Sequence, residues 1–166
     1  VSAQYRLATR IGDWRLSASH TWVNEHELQQ CRGDPIEDEF AINSGFDIPR
    51  TKSSATLSWQ YGGWAASLHG ERLGKLPNSD SYDQVYDPED GGSPWIDATW
   101  RYNTSASYTF GESMRVALTI DNLTDKMPPK DPTYTAYPYY DVSWFDSVGR
   151  TYFLTFTYKF GGQPLQ

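Results

Sequence analysis

The sequence is short of several things. It has one cysteine, Cys31, among 166 residues, so no disulfide can form within the chain. A catalytic thiol needs a base positioned beside it, and "QQCRGDPIED" around Cys31 offers none. No apolar run approaches the roughly 18 residues of a membrane-crossing helix, and the mean hydropathy is −0.67. That excludes a helical membrane protein. It leaves a β-barrel open, because alternating strands average out as polar. Basic charge is also scarce. The 14 Lys and Arg face 21 Asp and Glu, a net charge of −7, which argues against nucleic acid as a partner. The chain opens on Val1 with no charged n-region or apolar h-region, and so reads as a mature chain or a fragment. Helix signals are nearly missing.

Aromatics are abundant: 16% of residues, with 12 Tyr and 7 Trp. Period-2 alternation is everywhere, and it predicts seven strands at about 2–11, 14–24, 51–61, 64–73, 95–110, 114–122 and 149–160. In the last of them Tyr152, Leu154, Phe156, Tyr158 and Phe160 alternate with Thr151, Phe153, Thr155, Thr157 and Lys159. The connections alternate too. "IGD", "YGG" and "FGES" are short and carry a glycine, while 25–50, 74–94 and 123–149 are long and rich in Asp, Pro, Gly and Tyr. Loops and strands this long count against a small soluble domain.

Both suit a transmembrane barrel, whose strands need about 9–11 residues and whose loops are short on one side and long on the other. The aromatics sit beside the short turns: Trp14, Trp59, Tyr61, Trp64, Tyr108, Phe110, Tyr158 and Phe160. That placement predicts a membrane-interface girdle, where a ring lies in the apolar layer and a polar atom in the wet one. The opposite faces carry Arg, Lys, Asp, Asn, Gln, Ser and Thr, as the wall of a wide lumen does. The fold class is therefore all-β: antiparallel up-and-down strands of a transmembrane β-barrel. Seven strands do not close a barrel that wide, so the reading is part of a larger one, with residues 1–160 as barrel and 161–166 as a tail. Two alternatives stand beside it. One is a soluble, aromatic-rich β-sandwich binding carbohydrate; the other is an eight-stranded enzyme-type barrel lacking one strand.

The segment "IDNLTDKMPPKDPTYTAYPYYDVSWFDSVGRTYFLTFTYKF" (120–160) resembles the C-terminal end of a TonB-dependent outer-membrane receptor. The likeness rests on Asn122, Leu123, Asp125 and Lys126 at the end of the penultimate strand, Gly149 and Arg150 opening the last one, and the closing aromatic Phe160. Upstream, "RIGDWRLSASHTW" and "SWQYGGWAASLHGERLG" resemble the family in rhythm more than in letters. The resemblance implies a barrel of about 22 strands around a plug, in the outer membrane of a Gram-negative bacterium. It implies uptake of a scarce solute such as a metal chelate, cobalamin or an oligosaccharide, energised by the TonB complex. The implied partners are the N-terminal strands and plug of the same receptor, TonB through that N-terminal region, the barrel-assembly machinery, and outer-membrane lipid. The tail "GGQPLQ" after Phe160 departs from the pattern.

Within that frame the loop "TYTAYPYYDVSWF" offers Tyr134, Tyr137, Tyr139, Tyr140 and Trp144 as ligand-capturing aromatics. The bland alternative is a loop folded on its own side chains. Arg6, Arg15, Lys52, Arg101 and Arg115 fall on the lumen face, as a solute path or as partners of acidic groups. The acidic stretches 37–40 and 79–92 lack EF-hand spacing and read as solvated loops. His20, His26 and His69 lack the spacing of a zinc site. His20 falls on the lipid-facing side, near its middle or toward the outer interface. "RGD" (32–34) is a three-residue match to an adhesion motif and reads as loop. No catalytic triad, phosphate loop or paired catalytic carboxylates stand out, so neither an enzyme nor a cofactor is expected.

Overall fold

In the computed structural model, residues 1–45 and 47–160 are described. The tail 161–166 lies outside them. Among the described residues eleven strands occur in chain order. They are β1 (Ser2–Thr9), β2 (Gly12–Trp22), β3 (Glu27–Leu28), β4 (Glu37–Asp38), β5 (Thr51–Tyr61) and β6 (Trp64–Leu73). Then come β7 (Leu76–Pro77), β8 (Trp95–Ile96), β9 (Thr99–Phe110), β10 (Met114–Asp121) and β11 (Thr151–Tyr158). A four-residue helix, α1 (Ser79–Tyr82), and a 3₁₀ turn (Pro88–Asp90) lie between β7 and β8.

The seven long strands form one antiparallel sheet in the order β1-β2-β5-β6-β9-β10-β11. Each pairs with its neighbour along the chain, the up-and-down order expected of a barrel wall. The sheet is open, with β1 and β11 at its two ends. Among the described residues the other two sheets are two-stranded, β3-β4 and β7-β8. Among the described residues no second large sheet covers either face, which removes the basis for a β-sandwich.

The strand boundaries differ from expectation where side chains intervene. The first strand stops at Thr9 because the Thr9 hydroxyl donates to Gly12 O (2.7 Å) and accepts from Ile11 N (3.3 Å), closing the turn. The strand expected over 95–110 is two: β8 leaves the sheet to pair with β7, and only Thr99–Phe110 continues the wall. The last strand starts at Thr151, because Gly149 and Arg150 belong to a clamp described below. Gly62 and Gly111 turn the short connections at φ 56° and 57°, a region where a Cβ is costly.

Register carries one apolar row across the whole sheet: Leu7, Trp14, Trp59, Ala66, Ala106, Leu118 and Leu154. A second row runs Tyr5, Leu16, Leu57, Leu68, Thr104, Ile120 and Tyr152. Much of this face is exposed, up to 76% for Leu154. The reverse face shows Arg6, Arg15, Ser58, Ser67, Ser105 and Thr119 in a matching row. Burying an apolar surface is the main driving force of folding in water; here that surface points away from the chain.

The buried core lies elsewhere. Leu73, Leu76 and Tyr140 are buried, and so are Glu39, Asn78, Ser81, Asn122 and Asp131. All stand at the long-loop end, at the end of β6 or in the loops. The loops are therefore folded, and they hold one another. Asp131 Oδ2, from the third loop, accepts from Ser79 N at the start of α1 in the second (2.6 Å). Thr133 Oγ1 accepts from Asp80 N (3.2 Å). Asn78 caps α1 through Ser81 N (2.8 Å) and donates to Ser93 O (2.7 Å). Asn43 of the first loop donates to Tyr86 O of the second (3.3 Å).

Candidate solute-contact surface

The third loop is closed at its base by two residues. Asn122 sits at φ 52°, ends β10 and is 1% exposed. Its Oδ1 accepts from Lys126 N (2.8 Å), and its Nδ2 donates to Lys126 O (3.0 Å). Its own N donates to Asn103 Oδ1 (2.9 Å). Asp125 reaches the far end of the loop, where its Oδ1 accepts from Arg150 N (2.8 Å) and its Oδ2 lies 3.9 Å from the Arg150 guanidinium. The Asn-Leu-x-Asp-Lys and Gly-Arg segments are thus two halves of one clamp. It pins the start of the loop to the start of β11.

The five loop aromatics do not act as a set. Tyr137 is 86% exposed, and the ring of Tyr139 meets it edge-on at 6.3 Å. These two form an outward pair. Tyr140 is buried in the loop core, at 9%. Tyr134 is half-buried beside Asp131, its N–H donating to Asp131 O (3.2 Å). Trp144 faces the sheet side instead. It lines a cavity of about 160 Å³ with Lys52, Glu71, Arg101, Lys126, Met127 and Phe145. Its Nε1 is buried without a hydrogen-bond partner.

Sequence reasoning did not join Trp144 to Lys52, Glu71 and Arg101. Register does so: Glu71 lies opposite Arg101 on β9, and Lys52 Nζ bridges to Glu71 (3.0 Å). No local spacing signals that meeting. The cavity offers an ion pair, a further guanidinium, an ammonium and an indole N–H. Such a wall can hold a ligand with both polar and flat apolar parts.

Toward the short-turn end of the same face, Arg6, Arg15 and Arg115 line a broader concavity with Asp13, Ser58 and Gln60. Arg6 and Arg15 are direct cross-strand partners, a like-charge pair that repels. Arg115 donates to Ser107 Oγ (3.0 Å). Hydroxyls pave the surface between them: Ser19 with Ser54, and Ser67 with Ser105, each at 2.8 Å. His69 bonds Thr56 (2.8 Å) on this side. Among the described residues no group of three metal-ligating side chains converges.

The expected girdle residues stand on the apolar face at the short-turn end. Trp14 and Trp59 are 6.1 Å apart, Trp64 and Tyr108 4.6 Å, Tyr108 and Phe110 4.6 Å, and Tyr158 and Phe160 4.5 Å. Tyr61 stacks against Trp59 at 6.4 Å. The Trp59 indole donates to Ile11 O in the turn (2.8 Å). Toward the long-loop ends of their strands on this face, Trp22, Trp100 and Tyr152 are exposed. His20 lies near this outer end, opposite Ser53, with only the Thr21 and Trp22 pairs beyond it.

Searches among curated proteins and solved structures returned no match to this chain. A family model, the β-barrel of TonB dependent receptor-like proteins, matches residues 1–123. The match spans β1 to β10, the strands whose likeness lay in rhythm, and meets the 120–160 block only at its start. With an open up-and-down sheet, an outward apolar face and a polar reverse face, the chain belongs to the TonB-dependent receptor β-barrel family.

Proposed function

We propose that this chain forms wall strands and outer loops of a TonB-dependent transporter in the outer membrane of a Gram-negative bacterium. The transporter imports a scarce solute, such as a metal chelate, cobalamin or an oligosaccharide. One observation carries this reading: an exposed, largely apolar face backs a face of arginines and hydroxyls, and the long loops are knitted together at one end only. Lipid covers the first face, and the lumen with its plug covers the second. Tyr137 and Tyr139 are the outermost aromatic contacts for an arriving solute. Trp144 and the Lys52–Glu71–Arg101 group form the next surface inward. Further strands and a plug from the same receptor complete the barrel, the assembly machinery inserts it, and TonB energises it. The chain's part is binding and passage, without catalysis.

The test is made on the full-length gene product. It is expected in the outer-membrane fraction, and growth on its scarce solute is expected to require both it and TonB. A receptor recovered from the soluble fraction, or uptake unchanged without TonB, overturns the proposal.

A further inference from the structure

We propose that His20, Ser53 and Arg72 form a docking site, on the apolar face, for the phosphorylated headgroup of an outer-leaflet lipid. The site rests on the lipid-facing reading above and adds a specific ligand to it. Register sets His20, Ser53, Arg72 and Trp100 side by side on β2, β5, β6 and β9. Strand alternation puts all four on the face of Leu16, Leu57 and Leu68. A cation on that face is costly at the bilayer midplane and nearly free at the interface. Arg72 stands at the interface, in the row of Trp100, while Trp22 follows His20 by two residues on β2; both indoles are exposed. Indoles at this level mark the headgroup layer.

The charge of Arg72 has no ion-pair partner among the described residues. The neighbouring acid on its strand, Glu71, alternates to the other face and pairs with Lys52. One Arg72 nitrogen donates to Thr51 Oγ1 (3.2 Å). A guanidinium has five N–H donors in a flat fork that matches phosphate oxygens, so most remain for a ligand. Ser53 Oγ is bonded to His20 Nδ1 (2.8 Å), which fixes the imidazole and leaves Nε2 for an incoming oxygen. Strands lie about 4.8 Å apart, so His20 and Arg72 span about 10 Å, the width of one headgroup. The apolar setting between two exposed indoles favours a lipid over a soluble anion.

The experiment uses the full-length receptor in a neutral detergent, titrated with lipid A or its dephosphorylated form and read by native mass spectrometry. Lipid A is expected to bind at least about tenfold tighter, and Arg72→Gln to lose that advantage. Arg72→Lys keeps the charge and is expected to retain most of it, so it separates loss of the site from loss of folding. His20→Ala is expected to weaken lipid A binding about threefold. Equal binding of the two lipids, or an Arg72→Gln receptor as selective as wild type, overturns the site. Inorganic phosphate that displaces lipid A at matched concentration overturns the lipid assignment. A receptor that partitions into bilayers yet fails these tests leaves the membrane reading standing and removes only the site. One that does not partition removes both.

Discussion

Asn122 and Lys126 grip each other by both ends of one peptide-like pair. The Asn122 carboxamide accepts from Lys126 N (2.8 Å) and donates to Lys126 O (3.0 Å), as a strand partner does. The side chain thus replaces a ladder rung where β10 ends and the loop begins. Asn122→Ala is expected to destabilise the loop base by about 1–3 kcal/mol, from two part-buried backbone groups of Lys126 left without their partner and a methyl at positive φ. Faster proteolysis of residues 123–149 in the full-length receptor checks it, and an unchanged cleavage rate sinks it.

Asp125 and Arg150 separate charge from geometry. Their ion pair is half-exposed and long, 3.9 Å, and contributes at most about 1 kcal/mol. The hydrogen bond from Arg150 N to Asp125 Oδ1 does more of the positioning. Asp125→Asn keeps an acceptor and is expected to change loop protection little. Asp125→Ala is expected to cost about 1–2 kcal/mol. Equal effects of the two substitutions on amide exchange at Arg150 would contradict this.

The strands were legible in the sequence because a one-residue slip turns every side chain to the wrong face. β5 and β6 occupy the ranges that alternation marks, 51–61 and 64–73. The two apolar rows follow from parity alone. The loop core was not legible. Asp131 and Ser79 stand 52 residues apart, and nothing near either announces the other. Tyr140 and Tyr137 read alike in a tyrosine-rich loop, yet one is buried and the other exposed. Composition cannot tell a packing tyrosine from a contacting one. Trp95 and Ile96 continued an alternating pattern and were drawn away by pairing with β7.

That contrast gives a prediction. Tyr140→Ala is expected to cost about 2–4 kcal/mol in loop stability, by the scale of large-to-small core changes. Tyr137→Ala combined with Tyr139→Ala is expected to leave stability within about 0.5 kcal/mol and to weaken solute capture. Thermal unfolding and uptake by the two variants separate the roles. Reversed phenotypes would show that the packed and presented aromatics have been assigned the wrong way round.

Asp47 in the first loop faces Asp141 in the third. Burial, then the Asp141 charge, raise the Asp47 pKa above the ordinary 3.8. A raised carboxyl pKa stabilises the folded arrangement fully below the unfolded value, and that stability is lost as pH rises through the folded value. Contact between the first and third loops is therefore expected to be tighter in acid and to relax as pH climbs from about 4 toward neutrality. Spin labels on the two loops report it. Asp47→Asn is expected to hold the acid-like distance throughout, and a wild-type distance that ignores pH refutes the coupling.

Adjacent residues on β10 test which face meets lipid. Leu118 lies in the middle of the apolar row, and Thr119 points to the polar side. Leu118→Arg is expected to destabilise the assembled barrel by about 2–4 kcal/mol, and Thr119→Arg by well under 1. Urea unfolding of the full-length receptor in lipid vesicles measures both. Equal costs would mean that the sheet does not separate two media.

The buried contacts of this chain gather in its loops, while its sheet keeps the larger apolar area on the outside. The two parts therefore depend on different solvents. Water suffices for Asn78, Asp131 and Tyr140 to stay packed, because each is enclosed by protein. The strands need hydrocarbon on one side before the exclusion of water works in their favour. Stripping lipid or detergent should thus loosen the wall first and leave the outer cap as the last ordered piece, the reverse of a water-soluble β protein, whose surface loops open before its sheet.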